Sequence, residues 1–195
     1  MFEAFAVSTG VVALGEIGDK TQLLALLLAA RYRKPGTIIA AILVATLANH
    51  AAAAALGSLL PKLVSPGALR WALGLSFLAV AAWMLVPDKA DDLQAAPRGR
   101  LGVFGITLVA FFLAEMGDKT QIATVMLAAR FDALVPVTLG TTLGMMIADV
   151  PAVLLGDRVL RVVPVVWVHR VAALVFAAMG VALLAGWTSS ALPVA

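Results

Sequence analysis

The chain has 195 residues, 63% of them hydrophobic and 13% charged, where a soluble domain runs near half apolar and a quarter charged; a mean hydropathy of +1.04 agrees. This composition excludes an ordinary water-soluble domain and suits one membrane domain, and the absence of cysteine excludes disulfides, thiolate metal sites and thiol catalysis. The net charge of +3 sits in short loops between apolar runs, so it reads as cytoplasmic loop charge and not as a nucleic-acid surface.

Six membrane spans are expected in chain order, at about 4–30, 37–60, 68–87, 102–129, 134–156 and 165–187, each at least as long as the roughly 20 residues a crossing needs. The start Met1-Phe2-Glu3 is acidic where a signal peptide is basic, so the first span is expected to remain as a helix. Charged or Pro/Gly-bearing breaks follow at Arg31 to Gly36, Pro61 to Gly67, Asp88 to Arg100, Arg130 to Asp132 and Asp157 to Pro164. The longest, Asp88 to Arg100, divides the chain into a first repeat (1–87), a central loop (88–101) and a second repeat (102–195).

The halves repeat at an offset of 99 residues. Glu16-Ile17-Gly18-Asp19-Lys20-Thr21-Gln22 returns as Glu115-Met116-Gly117-Asp118-Lys119-Thr120-Gln121, and Leu28 to Arg31 returns as Leu127 to Arg130. Gly57 pairs with Gly156 in the same register, and His50 with Asp149. Three spans per half is an odd number, so the second copy enters the membrane from the opposite side. The expected fold is an all-α membrane protein of six transmembrane helices in two inverted three-helix repeats, an arrangement common among secondary transporters. Outside the spans, nine Lys and Arg fall on the side of the central loop and three (Lys62, Arg70 and Arg130) on the other. That bias predicts a cytoplasmic central loop and both termini outside.

Glu16 and Glu115 lie about 12 residues into their spans, near mid-membrane at 1.5 Å per residue. An ionisable residue there is costly and faces the protein interior. On a continuous helix, Asp19 and Lys20 would flank Glu16 by about 60° and 40°, on one face, and a Glu16–Lys20 pair at i, i+4 would be sterically allowed. Gly15, Gly18 and Gly117 permit close helix approach or local unwinding. If the two motif helices meet, Glu16, Asp19, Glu115 and Asp118 converge. With Thr21, Gln22, Thr120 and Gln121 they make an oxygen-only environment suited to Mg²⁺, Ca²⁺ or Mn²⁺. Asp149, beside Pro151 in the fifth span, reads as a supporting ligand or proton carrier. Asn49 and His50 occupy the matching place in the second span, where His50 could shuttle protons or simply pack. His169, near a loop, reads as a solvated interface residue, and Trp71, Trp83, Trp167 and Trp187 as an interfacial belt.

The doubled Glu-x-Gly-Asp-Lys/Arg-Thr/Ser motif resembles the signature of the small membrane family of manganese and calcium transporters, which includes the MneA-type bacterial manganese exporters and the Golgi cation/proton exchangers. The resemblance covers nearly the whole chain, and both copies match at every fixed position: Glu16, Asp19, Lys20 and Thr21, with Glu115, Asp118, Lys119 and Thr120. It implies export of Mn²⁺, or Ca²⁺, from the cytoplasm against protons; the expected location is a bacterial inner membrane. The ion is then cargo, no tightly bound cofactor is expected, and the partners are the dication, protons and the lipid bilayer. The sequence assigns no oligomeric state. An exporter of small organic cations or amino acids, or a cation channel, is the alternative. A membrane enzyme is disfavoured. No His-Glu-x-x-His helix is present, and the Glu and Lys beside Asp19 and Asp118 do not serve aspartyl proteolysis.

Overall fold

The computed structural model describes residues 1–86, 102–156 and 165–186. They form eight helices and no strand: α1 (Phe2–Glu16), α2 (Lys20–Tyr32), α3 (Pro35–Leu63), α4 (Pro66–Met84), α5 (Val103–Glu115), α6 (Lys119–Phe131), α7 (Leu134–Leu155) and α8 (Val165–Leu184). The four helices α3, α4, α7 and α8 are each long and apolar enough to cross a membrane. Leu43, Leu56, Leu75, Leu139, Ile147 and Leu174 lie exposed on their outer faces, as lipid-facing surface requires.

The single spans expected at 4–30 and 102–129 need correction. Each is two helices of 13 to 15 residues, interrupted inside the motif, so each piece measures only about 20 Å. The sequence dictates where they break. Gly18 has φ +85° and Gly117 has φ +77°, in the left-handed region that glycine alone enters without cost. Other boundaries follow ordinary rules: Pro35 and Pro66 occupy first-turn positions of α3 and α4, where a missing N–H costs nothing. Arg33 and Asp132, equivalent at the 99-residue offset, both turn the chain at positive φ after α2 and α6.

The halves interlock. α1 and α2 of the first half pack on α7 of the second, while α5 and α6 of the second pack on α3 of the first; α3 also meets α7, and α4 meets α8. Glycines set the closest approaches. A Cβ on Gly140 or Gly144 of α7 would lie 2.6 and 2.7 Å from the Phe5 and Thr9 carbonyl oxygens of α1. Ala41 and Ala45 hold the equivalent places on α3 and are buried. Phe77 and Phe176 are equivalent by the same offset and touch each other, ring centroids 6.0 Å apart. Together these contacts carry the two motif breaks to the middle of the bundle.

Candidate ion-binding site

Each break is built the same way. Glu16 ends α1 and Glu115 ends α5; Asp19 and Asp118, in extended conformation, precede the first residues of α2 and α6. The sequence Asp-Lys-Thr-Gln is a helix-start signature with glutamine at the third helical position. Gln22 Oε1 accepts the Gly18 N–H at 2.9 Å, and Gln121 Oε1 accepts that of Gly117 at 2.7 Å. Backbone groups freed by the interruption are thereby satisfied inside the protein, as a membrane interior demands. The amide ends of both glutamines reach across the repeat interface. Gln22 donates to the Ala148 carbonyl at 2.9 Å, and Gln121 donates to Asn49 Oδ1. Asn49 in turn donates to the Phe112 carbonyl at 3.2 Å. Asn49 and Ala148 are equivalent at the 99-residue offset, so the two bridges are reciprocal.

The charged residues follow the same pattern. Lys20 Nζ lies 2.8 Å from Asp118, and Lys119 Nζ lies 2.8 Å from Asp19. The pairing of Glu16 with Lys20 along one helix is therefore not formed, because the break removes the i, i+4 geometry. For the same reason the shared helical face expected for Glu16, Asp19 and Lys20 does not exist; the grouping comes from the crossing of two interrupted segments. Thr21 donates to Glu16 Oε2 at 2.8 Å, and Thr120 to Glu115 Oε2 at 3.2 Å.

Glu16, Asp19 and Asp118, all buried, bring one oxygen each to within 4.8 Å of one another. Oxygens on opposite sides of a dication with bonds of 2.0–2.6 Å stand about 4 to 5 Å apart, so the three fit around a single ion. Glu115 stands outside that group of three. It is buried, within electrostatic reach of Glu16, Asp118, Asp19 and Asp149, and its Oε1 has no hydrogen-bond partner among the described residues. Asp149 is fully buried, and neither of its carboxylate oxygens has a partner there; the same is true of both ring nitrogens of His50.

One contributor escaped the sequence reading. His169, expected in solvent, is 9% exposed, and its Nε2 lies 2.8 Å from the Ile17 carbonyl oxygen. Its partner is 152 residues away, so no local pattern announces it. Trp71, Trp83 and Trp167 are exposed as a belt requires; Trp187 lies outside the described residues.

A family model described as "Divalent cation/proton antiporter GDT1" matches residues 4–92 and 103–191. The chain belongs to this family. It is a membrane transporter of the divalent cation/proton antiporter kind. Each match contains one copy of the motif, so the family's unit is the half. The chain is 51% identical over 183 residues to a Vibrio cholerae protein named "Putative manganese exporter", covering 93% of this chain and 90% of that one. It is 32% identical over 186 residues to a GDT1-like protein of Synechocystis (82% and 85% covered). It is 31% identical over 183 residues to GDT1-like protein 4 of rice, covering 80% of this chain and 64%, under two thirds, of that longer one. No solved structure matches the chain.

Proposed function

We propose that this protein exports Mn²⁺ from the cytoplasm of a bacterium in exchange for protons, with the ion held by Glu16, Asp19 and Asp118. The observation that carries this reading is the convergence of three buried carboxylate oxygens from both repeats within 4.8 Å. The name of the Vibrio cholerae relative supports Mn²⁺ as cargo, and an oxygen-only set accepts Mn²⁺ and Ca²⁺ alike. The dication is substrate here, and no resident cofactor is assigned.

In this reading Lys20 and Lys119 tether Asp118 and Asp19 across the interface and offset part of their charge. Thr21 and Thr120 orient Glu16 and Glu115. Gln22, Gln121 and Asn49 keep the breaks open in register. Glu115 takes one exchanged proton and Glu16 the other once the ion has left, since each is a buried carboxylate with an oxygen left unsatisfied; Asp149 and His50, in a similar state, line the proton path. The compact oxygen cluster favours a dication over a bulky organic cation.

The architecture we assign is six spans in two inverted repeats, 1–87 and 102–195, joined by the loop 88–101. The two broken helices each count as one crossing. Support comes from the odd number of spans per half and from the reciprocal contacts at the 99-residue offset. The nine-to-three basic asymmetry supports a cytoplasmic central loop in the inner membrane.

Uptake into inside-out vesicles tests the reading. Mn²⁺ should accumulate when the lumen is made acid, more than Ca²⁺ does, and a protonophore should stop it. Uptake indifferent to the pH gradient would overturn proton exchange, and a bulky organic cation that competes fully would favour the other cargo.

A further inference from the structure

The two motif breaks have nearly the same residues but different surroundings. In the first, α8 lies directly over the break. Val165 packs so closely on Gly18 that a Cβ there would collide with its side chain, and His169 Nε2 meets the Ile17 carbonyl at 2.8 Å. That carbonyl follows α1, where helix-end acceptors need an outside donor. This contact borders a cavity of about 420 Å³, lined by Gly18, Met84, Leu85, Val165, Val166, His169 and Arg170. In the second break, Met116 is 57% exposed, and a Cβ on Gly117 would meet nothing within 4 Å among the described residues. The residue in the register of His169 is Arg70 on α4, and it lies beside Gly186 at the far end of α8. Among the described residues one break is covered and the other is open, although the carboxylates proposed to bind the ion belong to both.

We propose that His169 and Val165 form a latch that closes one of the two routes to the ion site, and that transport requires the His169–Ile17 contact to part as the Met116–Gly117 break becomes covered. A non-helical segment at membrane depth is tolerated where it is packed in protein or lines water, so the open break at Gly117 marks the aqueous route in this conformation. Alternating access in such folds moves one repeat against the other around a fixed site, and covering must then pass from one break to the other. His169 is a positioning residue in this scheme: it holds backbone and does not touch the ion. Which side each route faces rests on the orientation proposed above. Met84 and Leu85 lead into the central loop, so the latched route is the cytoplasmic one.

The chain has no cysteine, so single-cysteine reporters are clean. Met84→Cys reports the latched cavity and Met116→Cys the open break, each in membrane vesicles of both orientations treated with a charged, impermeant methanethiosulfonate. Met116→Cys should react from the outside and Met84→Cys should be protected. Adding His169→Ala should speed modification at position 84 and slow it at position 116, changing the ratio roughly threefold to tenfold, as loss of one buried hydrogen bond implies. His169→Gln, whose amide can donate to the same carbonyl, should keep the parent ratio. A rise at both positions would mean simple loosening and would overturn the latch, as would no change or an unreactive Met116→Cys. A wrong ion assignment leaves this labelling untouched. A wrong orientation exchanges the vesicle types and preserves the reciprocity.

Discussion

Lys119 is 1% exposed and holds Asp19 at 2.8 Å, although the two residues belong to opposite halves of the chain. The mirror pair, Lys20 with Asp118, has the same separation, but its lysine is 17% exposed. Duplicated motifs thus make two chemically identical ion pairs in unequal environments. A buried pair is costly to break by removing one partner, because the charge left behind loses its compensation where water cannot replace it.

Lys119→Met should therefore destabilise the protein more than Lys20→Met. Loss of the buried ammonium is expected to cost about 3 kcal/mol or more, and loss of the more exposed one clearly less. Thermal unfolding of the two variants in one detergent checks the order; equal midpoints would show that burial does not separate the pairs.

The carboxylates should separate into two classes. Glu16→Gln, Asp19→Asn and Asp118→Asn each remove an oxygen of the converging group, so Mn²⁺ affinity should fall by about 100-fold or more, beyond what an indirect contact costs. Glu115→Gln should abolish transport and keep measurable Mn²⁺ binding, because Glu115 stands outside the group of three. Mn²⁺ binding to purified variants, followed by its paramagnetic resonance signal, reads both. Tight binding in Asp118→Asn would remove the second repeat from the site.

Much of this site is legible in the sequence because duplication writes it twice. The offset of 99 identifies both motifs and pairs His50 with Asp149. The error came from treating residues 16–20 as continuous helix. Gly18 followed by Asp19-Lys20-Thr21-Gln22 is a stop followed by a start, and that signature, read as punctuation, would have placed the break. Pairing across the break remained hidden, because a 2.8 Å contact between Lys20 and Asp118 depends on how two interrupted segments cross. The latch at His169 was hidden for a related reason: its role depends on the carbonyl it meets, and a carbonyl has no residue identity.

Gly144 makes the packing argument testable. A Cβ there would lie 2.7 Å from the Thr9 carbonyl and 2.9 Å from the Ala13 nitrogen, both backbone atoms that cannot swing aside. Gly144→Leu should force α1 from α7 at a cost of about 1–3 kcal/mol and lower the melting temperature. Gly67→Leu, at a position with nothing within 4 Å among the described residues, is the control. Equal effects would mean that the α1–α7 approach is not constrained by glycine.

The proposed orientation rests on the nine-to-three distribution of basic residues. A cysteine introduced between Asp88 and Arg100 should resist an impermeant thiol reagent in intact cells, and one at Ala195 should react. The opposite pattern would reverse the assignment and with it the direction of transport.

The coupling ratio can be argued from charge now that the lysines have partners. Lys20 with Asp118 and Lys119 with Asp19 form two pairs, each neutral in sum. Glu16 and Glu115 remain, carrying two negative charges if ionised, and a pair of uncompensated charges is expensive at the bilayer centre. One dication neutralises them, and so do two protons. A carrier that crosses its occluded state only when neutral would exchange one dication for two protons, moving no net charge. Transport in proteoliposomes should then be indifferent to a clamped potential when the pH gradient is fixed. Asp149 is the control on the count: if it stays protonated throughout, Asp149→Asn should leave that indifference intact. If it binds one of the exchanged protons, the variant should carry net charge and respond to voltage, by about 2.3 kcal/mol per unit charge for each 100 mV. A parent protein whose accumulation follows voltage would rule out neutral exchange and place a further ionised group in the cycle.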